Sequence, residues 1–135
     1  MIHEEICTYE VCKLAKEKGF PQHITEEAYI VDNYGEDDYN IGDRLPIALV
    51  PDYMDDVAAP TQSLLQRWLR EEKGVTICVD IFDDGWFFDI STFYKQDTGE
   101  YEVDIPYKSS NVSPVYDTYE LALEDALAYS LKNLV

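Results

Sequence analysis

The sequence predicts an α+β fold: an antiparallel β-meander of three strands or more, packed by helices, in the order α-β-(β)-α-β-β-β-α. Three observations carry this. Residues 60–73 and 117–135 space their apolar side chains at helical intervals and start or stop on capping residues. Residues 75–107 alternate apolar and polar with a period of two. Two turn sequences, Asp83-Asp84-Gly85 and Gln96-Asp97-Thr98-Gly99, cut that stretch into three strands joined as hairpins. A chain of 135 residues, 46% hydrophobic, is expected to form a single domain, 1–135. Within it, 1–59 make an N-terminal α/β part and 60–135 an α-β-β-β-α unit.

The elements follow in order. A first helix is expected over 9–18, capped by the Thr8 hydroxyl, carrying Val11, Leu14 and Ala15 as its apolar stripe and ending at Gly19. A strand over 24–32 places Ile24, Ala28 and Ile30 on one face, and 33–38 has turn chemistry. The apolar run 45–50 lies between Pro46 and Pro51 and suits an edge or irregular segment, while 51–60 reads as a connector. The second helix carries Leu64, Leu65, Trp68 and Leu69 on one stripe and stops at Gly74. Trp68 is expected in the apolar layer with Ile77, Phe88 or Leu127.

Alternation then points Val75, Ile77, Val79 and Ile81 one way in the first strand of the meander. Trp86, Phe88 and Ile90 continue that layer in the second strand, and Tyr101, Val103, Ile105 and Tyr107 in the third. Residues 109–114 form a polar loop. The last helix opens on Asp117 and Glu120, near a capping box, and buries Leu123, Ala126, Leu127, Leu131 and Leu134.

Composition narrows the function. The formal net charge is −18. Residues 1–59 hold 4 bases and 14 acids, and residues 60–135 hold 6 and 14, so the acidity is spread along the chain. Such a field repels nucleic acid and acidic membranes and attracts basic protein surfaces. Helix–three strands–helix is also the order of double-stranded-RNA-binding domains. The positions where those domains use lysines carry Tyr119-Glu120-Leu121 and acidic turns here, which argues against RNA. No run is long enough to span a membrane, and the acidic start Met1-Ile2-His3-Glu4-Glu5 leads to no expectation of a signal peptide.

Cys7, Cys12 and Cys78 have neither disulfide nor zinc spacing; Cys12 and Cys78 sit among apolar residues and are expected as buried thiols in a reducing cytoplasm. In the acid-rich stretch 32–43, a frame starting at Asp38 places Gly42 one position early for an EF-hand loop and has no final Glu, so it is read as a solvated loop, with an irregular cation site as the alternative. No catalytic motif is present, and no cofactor or metal is expected. The far face of the meander is both acidic and aromatic by alternation: Asp80, Asp89, Glu102 and Asp104 with Phe82, Phe87 and Phe93. Two readings stand. Either residues 1–59 cover the aromatics, or Asp80, Phe82, Asp89, Phe93, Glu102 and Asp104 form a binding surface for a basic partner.

Three blocks of the chain, 9–20, 59–71 and 116–127, resemble those of a family of small phage and prophage proteins of unassigned activity, common in gut Bacteroidetes. They read Tyr9-Glu10-Val11-Cys12-Lys13-Leu14-Ala15 onward, Ala59-Pro60-Thr61-Gln62-Ser63-Leu64-Leu65 onward, and Tyr116-Asp117-Thr118-Tyr119-Glu120-Leu121-Ala122 onward. The resemblance implies a mobile-element origin and a bacterial cytoplasm, and it supplies no site residues. The function expected is that of an acidic accessory protein that binds another protein. The alternative is a DNA mimic, whose carboxylates, with Asp37, Asp38, Asp55 and Asp56, would stand in for phosphates toward a host nuclease or DNA-binding protein.

Overall fold

The computed structural model describes residues 2–31, 41–50, 55–108 and 115–135, with backbone alone at 41–43, 82 and 105–108. The chain divides into two units, 1–61 and 62–135, each built around its own three-stranded antiparallel sheet. The α+β class and the order of helices and strands are as expected.

In the first unit, helix α1 spans Tyr9–Glu17. The Thr8 hydroxyl accepts the Val11 amide at 3.4 Å, which satisfies one of the amides the first turn leaves over. At the other end the Gly19 amide donates to the Lys16 carbonyl and the Phe20 amide to the Ala15 carbonyl. That pair is a Schellman closure, and it drives the Phe20 ring into the core. Strand β1 (Glu27–Val31) is central, with β2 (Ile41–Pro46) and β3 (Asp55–Ala58) on its two sides. Pro46 closes edge strand β2, and a single 3-10 turn (Ile47–Leu49) follows, as the proline-bracketed run implied.

Two expectations for this unit need correction. Ile24 lies outside β1 and is exposed; Ala28 and Ile30 alone carry the buried face. Thr25 ends the preceding turn instead, donating its hydroxyl to the Glu27 carbonyl at 2.9 Å. Residues 55–58, read as part of a connector, are β3, paired with β1 from Ala28↔Ala58 to Val31↔Asp55. Four residues opening on two aspartates are too short for a period and too acidic for strand propensity. Long-range contacts hold the strand instead. The Lys16 ammonium donates to the Asp56 carbonyl, the Ala58 amide donates to the Gln22 side-chain oxygen, and Val57 and Ala58 are buried. The expected turn 33–38 and the 32–40 part of the acid-rich stretch lie outside the described residues.

In the second unit, α2 (Gln62–Lys73) leads into β4 (Val75–Phe82), β5 (Gly85–Lys95) and β6 (Tyr101–Lys108), and α3 (Tyr119–Asn133) ends the chain. The sheet order is β4-β5-β6. Helix α3 packs on β4 and β5, and α2 on β4 and α3. Leu65, Leu69, Val75, Ile77, Phe88, Ile90, Leu127 and Leu131 are buried between these layers, each full burial worth about 1.5–3 kcal/mol. Gln62 is buried too, and its amide donates to the Glu120 carbonyl at 3.0 Å and to the Glu124 carboxylate at 2.7 Å, tying α2 to the start of α3.

Here also the structure revises details. Leu65 and Leu69 are the sealed positions of α2, whereas Trp68 is half-buried with the Lys73 ammonium 5.4 Å from its ring centre. The cap of α3 is Thr118, whose hydroxyl accepts the Leu121 amide at 3.1 Å, one residue beyond the expected Asp117. Leu134 falls past the end of α3 and is half-buried. Cys78 is exposed, because its strand position points away from the helices; Cys7 and Cys12 are buried. The turn at Asp83-Asp84 is a two-residue hairpin loop in which Asp83 takes a φ of 53°, as that turn type requires.

Candidate interaction surface

The meander is longer on one side than the other. Strand β4 begins at Val75, opposite Thr92 of β5, so Phe93, Tyr94 and Lys95 run past its end. They pair only with Val103, Glu102 and Tyr101 of β6. The result is a two-stranded arm. It is held at its base by the Phe93 amide, which donates to the Gly74 carbonyl at 2.7 Å. Its tip is closed by the Gln96 amide on the Glu100 carbonyl and the Gly99 amide on the Gln96 carbonyl.

One face of the arm is apolar and open to water. Phe93 is 46% exposed, Tyr101 61% and Val103 59%. Val103 stands directly across from Phe93, and the Phe93 and Tyr101 rings stack diagonally, centroids 4.6 Å apart and planes 11° from parallel. Cross-strand aromatic pairs of this kind stiffen a hairpin by about 0.2–1 kcal/mol. Lys95, opposite Tyr101, holds its ammonium 5.9 Å from the Tyr101 ring centre, within cation–π range. On the other face Tyr94 is paired with Glu102. The Glu102 carboxylate accepts from the Tyr94 hydroxyl and from the Gln96 amide, and these bonds hold its pKa below the usual carboxylate range, Tyr94 contributing most. The Tyr94 phenol is correspondingly raised, first by that hydrogen bond, then by desolvation and by the charges of Glu102 and Asp104.

This register corrects the site expected from simple alternation. Between Ile90↔Tyr107 and Thr92↔Asp104, β5 advances two residues and β6 three. The extra residue is a bulge next to Pro106, a residue that sits in sheets chiefly at edges and bulges. From there to the turn the faces of β6 are exchanged. Glu102 and Asp104 fall on the face of Phe88 and Ile90, while Tyr101 and Val103 fall on the face of Asp80 and Asp89. The six residues Asp80, Phe82, Asp89, Phe93, Glu102 and Asp104 therefore do not share one side. Asp80 is exposed and its cross-strand partner Phe87 is half-buried. Asp89, paired with Cys78, is half-buried, and its Oδ1 is shut from water with no hydrogen-bond partner among the described residues. Phe82 is paired with Gly85, and its side chain lies outside the described residues.

Sequence reasoning missed Tyr101, Val103 and Lys95 as members of this surface. Two signals for them were present: Pro106 inside a predicted strand, and a second strand longer than the first.

Among the described residues no three His, Cys, Asp or Glu side chains are grouped to hold a metal ion, and no helix is long and apolar enough to cross a membrane. In comparisons with protein-family models, curated proteins and solved structures, nothing matches the chain.

Proposed function

We propose that this chain is a small acidic accessory protein of phage or prophage type. On this reading it works in the bacterial cytoplasm by binding another protein and not by catalysis. The observation that carries the reading is the arm: three apolar side chains, Phe93, Tyr101 and Val103, lie more than two-fifths exposed on one face of a hairpin. An apolar patch rimmed by charge is what an interaction site requires. The partner surface is basic. Residues 93–104 hold four acids, Asp97, Glu100, Glu102 and Asp104, against one base, Lys95, within a chain of net charge −18. Aromatic rings supply contact area at low entropic cost, and the carboxylates steer a cationic surface toward them.

The DNA-mimic reading has less support, because the β6 bulge puts Glu102 and Asp104 on the opposite sheet face from Asp80 and Asp89. Asp37 and Asp38, which that reading also used, lie outside the described residues. A pull-down from host lysate followed by salt titration tests the proposal. A partner captured through the arm loses affinity when Phe93 or Tyr101 is replaced by Ala, and keeps part of it in high salt. A partner indifferent to both substitutions, and lost steeply with salt, would return the mimic to first place.

A further inference from the structure

The arm also indicates what kind of group it receives. On its exposed face the Phe93 and Tyr101 rings stack on one another, which leaves one outer face of each ring uncovered by the other, with Val103 across from Phe93. A cation already lies at the stack, the Lys95 ammonium over Tyr101. A ring face attracts cations through its quadrupole, and guanidinium groups use it best because they are planar and weakly hydrated. Asp97 and Glu100 in the turn lie within two residues of Lys95 and Tyr101 along the chain and add negative potential at the same end. A second copy of this chain is a poor occupant, since it would bring the same acids against these.

We infer that the Phe93–Tyr101 stack is the docking place for an arginine side chain on an extended cationic segment of the partner protein. Lys95 occupies that place in the unbound chain. This rests on the reading of the chain as a binder of a basic protein, and it adds the chemistry of the contact.

Short oligo-arginine, oligo-lysine and oligo-glutamine peptides of equal length, titrated into the full chain and followed by amide NMR, test it. Oligo-arginine is expected to move the amides of 93–95 and 101–103 and to bind more tightly than oligo-lysine. Oligo-glutamine is expected to leave them unmoved. Phe93→Leu and Tyr101→Leu keep apolar bulk and strand propensity but remove the ring face. Each is expected to weaken oligo-arginine by about tenfold, as loss of a central contact does. Amide spectra unchanged beyond the arm show that these variants remain folded. Lys95→Ala, which removes the resident cation and also makes the chain one charge more negative, is expected to tighten oligo-arginine more than oligo-lysine.

Oligo-arginine binding that ignores both Leu variants, or that equals oligo-lysine, overturns the docking place while the basic-partner reading stands. Absence of binding by either cationic peptide at low salt overturns both.

Discussion

The Gly74 carbonyl accepts the Phe93 amide at 2.7 Å, joining the end of α2 to the base of the arm. Gly74 has a φ of +67°, and a Cβ built on it would collide with the Phe93 carbonyl oxygen. Gly74→Ala is therefore expected to destabilise the second unit by at least the ~1–3 kcal/mol of a strained backbone position. Gly99→Ala is the control. Its φ is +88° and nothing lies within 4 Å of the added carbon, so only the backbone strain remains. Urea denaturation reads both; equal losses would show that the approach to Phe93 contributes nothing.

Leu69 and Trp68 are neighbours on α2 with different burial. Leu69→Ala removes a sealed side chain and is expected to cost about 2–5 kcal/mol. Trp68→Ala should cost less than the ~3–5 kcal/mol of a core aromatic, since the residue is only half-buried and its ring faces the Lys73 ammonium. The ordering of the two denaturation midpoints checks this, and a larger loss for Trp68 would contradict it.

Thr118 caps α3. Thr118→Ala is expected to cost about 1 kcal/mol, because the Leu121 amide loses its acceptor. Asp117→Ala should cost less, since it removes only a charge near the helix start. Thermal melts of the two variants distinguish the cap observed from the one the sequence implied.

The Tyr94–Glu102 hydrogen bond makes a two-sided pH prediction. Glu102 has a lowered folded-state pKa, so its contribution is present above the ordinary glutamate value and lost as pH falls through the lowered one. Tyr94 has a raised pKa, so its contribution is present below the ordinary phenol value and lost as pH rises through the raised one. The stability difference between the native chain and Tyr94→Phe should be largest between the ordinary values, about 4 and 10, and shrink outside them. In Tyr94→Phe the Glu102 carboxyl, followed by NMR, should titrate closer to the usual glutamate value. An unmoved titration curve would mean that the bond is not formed in solution.

The whole-chain charge acts over a different range. With 28 acids and 10 bases the folded state repels itself, so at low salt the melting temperature should rise from about pH 7 to about pH 5 as a few carboxylates protonate. Added salt should flatten that rise. A steady fall with acid, indifferent to salt, would argue that paired carboxylates outweigh repulsion.

Local pattern alone determined much of this protein. The α+β class, all three helices, the Thr8 cap and the three strands of the meander follow from caps, turns and periodicity, which depend on residues near one another in the chain. The alternation also assigned Phe88, Ile90, Val75 and Ile77 to the helix-covered layer correctly, because β4 and β5 run in unbroken register. Tertiary structure decided what lies between and beyond. β3 exists because β1 supplies its hydrogen bonds, and its own four residues carry no signal for it. The bulge at Pro106 decided which side chains of β6 share a face with Phe93, since a single inserted residue exchanges the two faces of a strand. That step moved Glu102 and Asp104 away from the expected site and brought Tyr101 and Val103 onto it. Register is a relation between two strands, so neither strand's sequence states it alone.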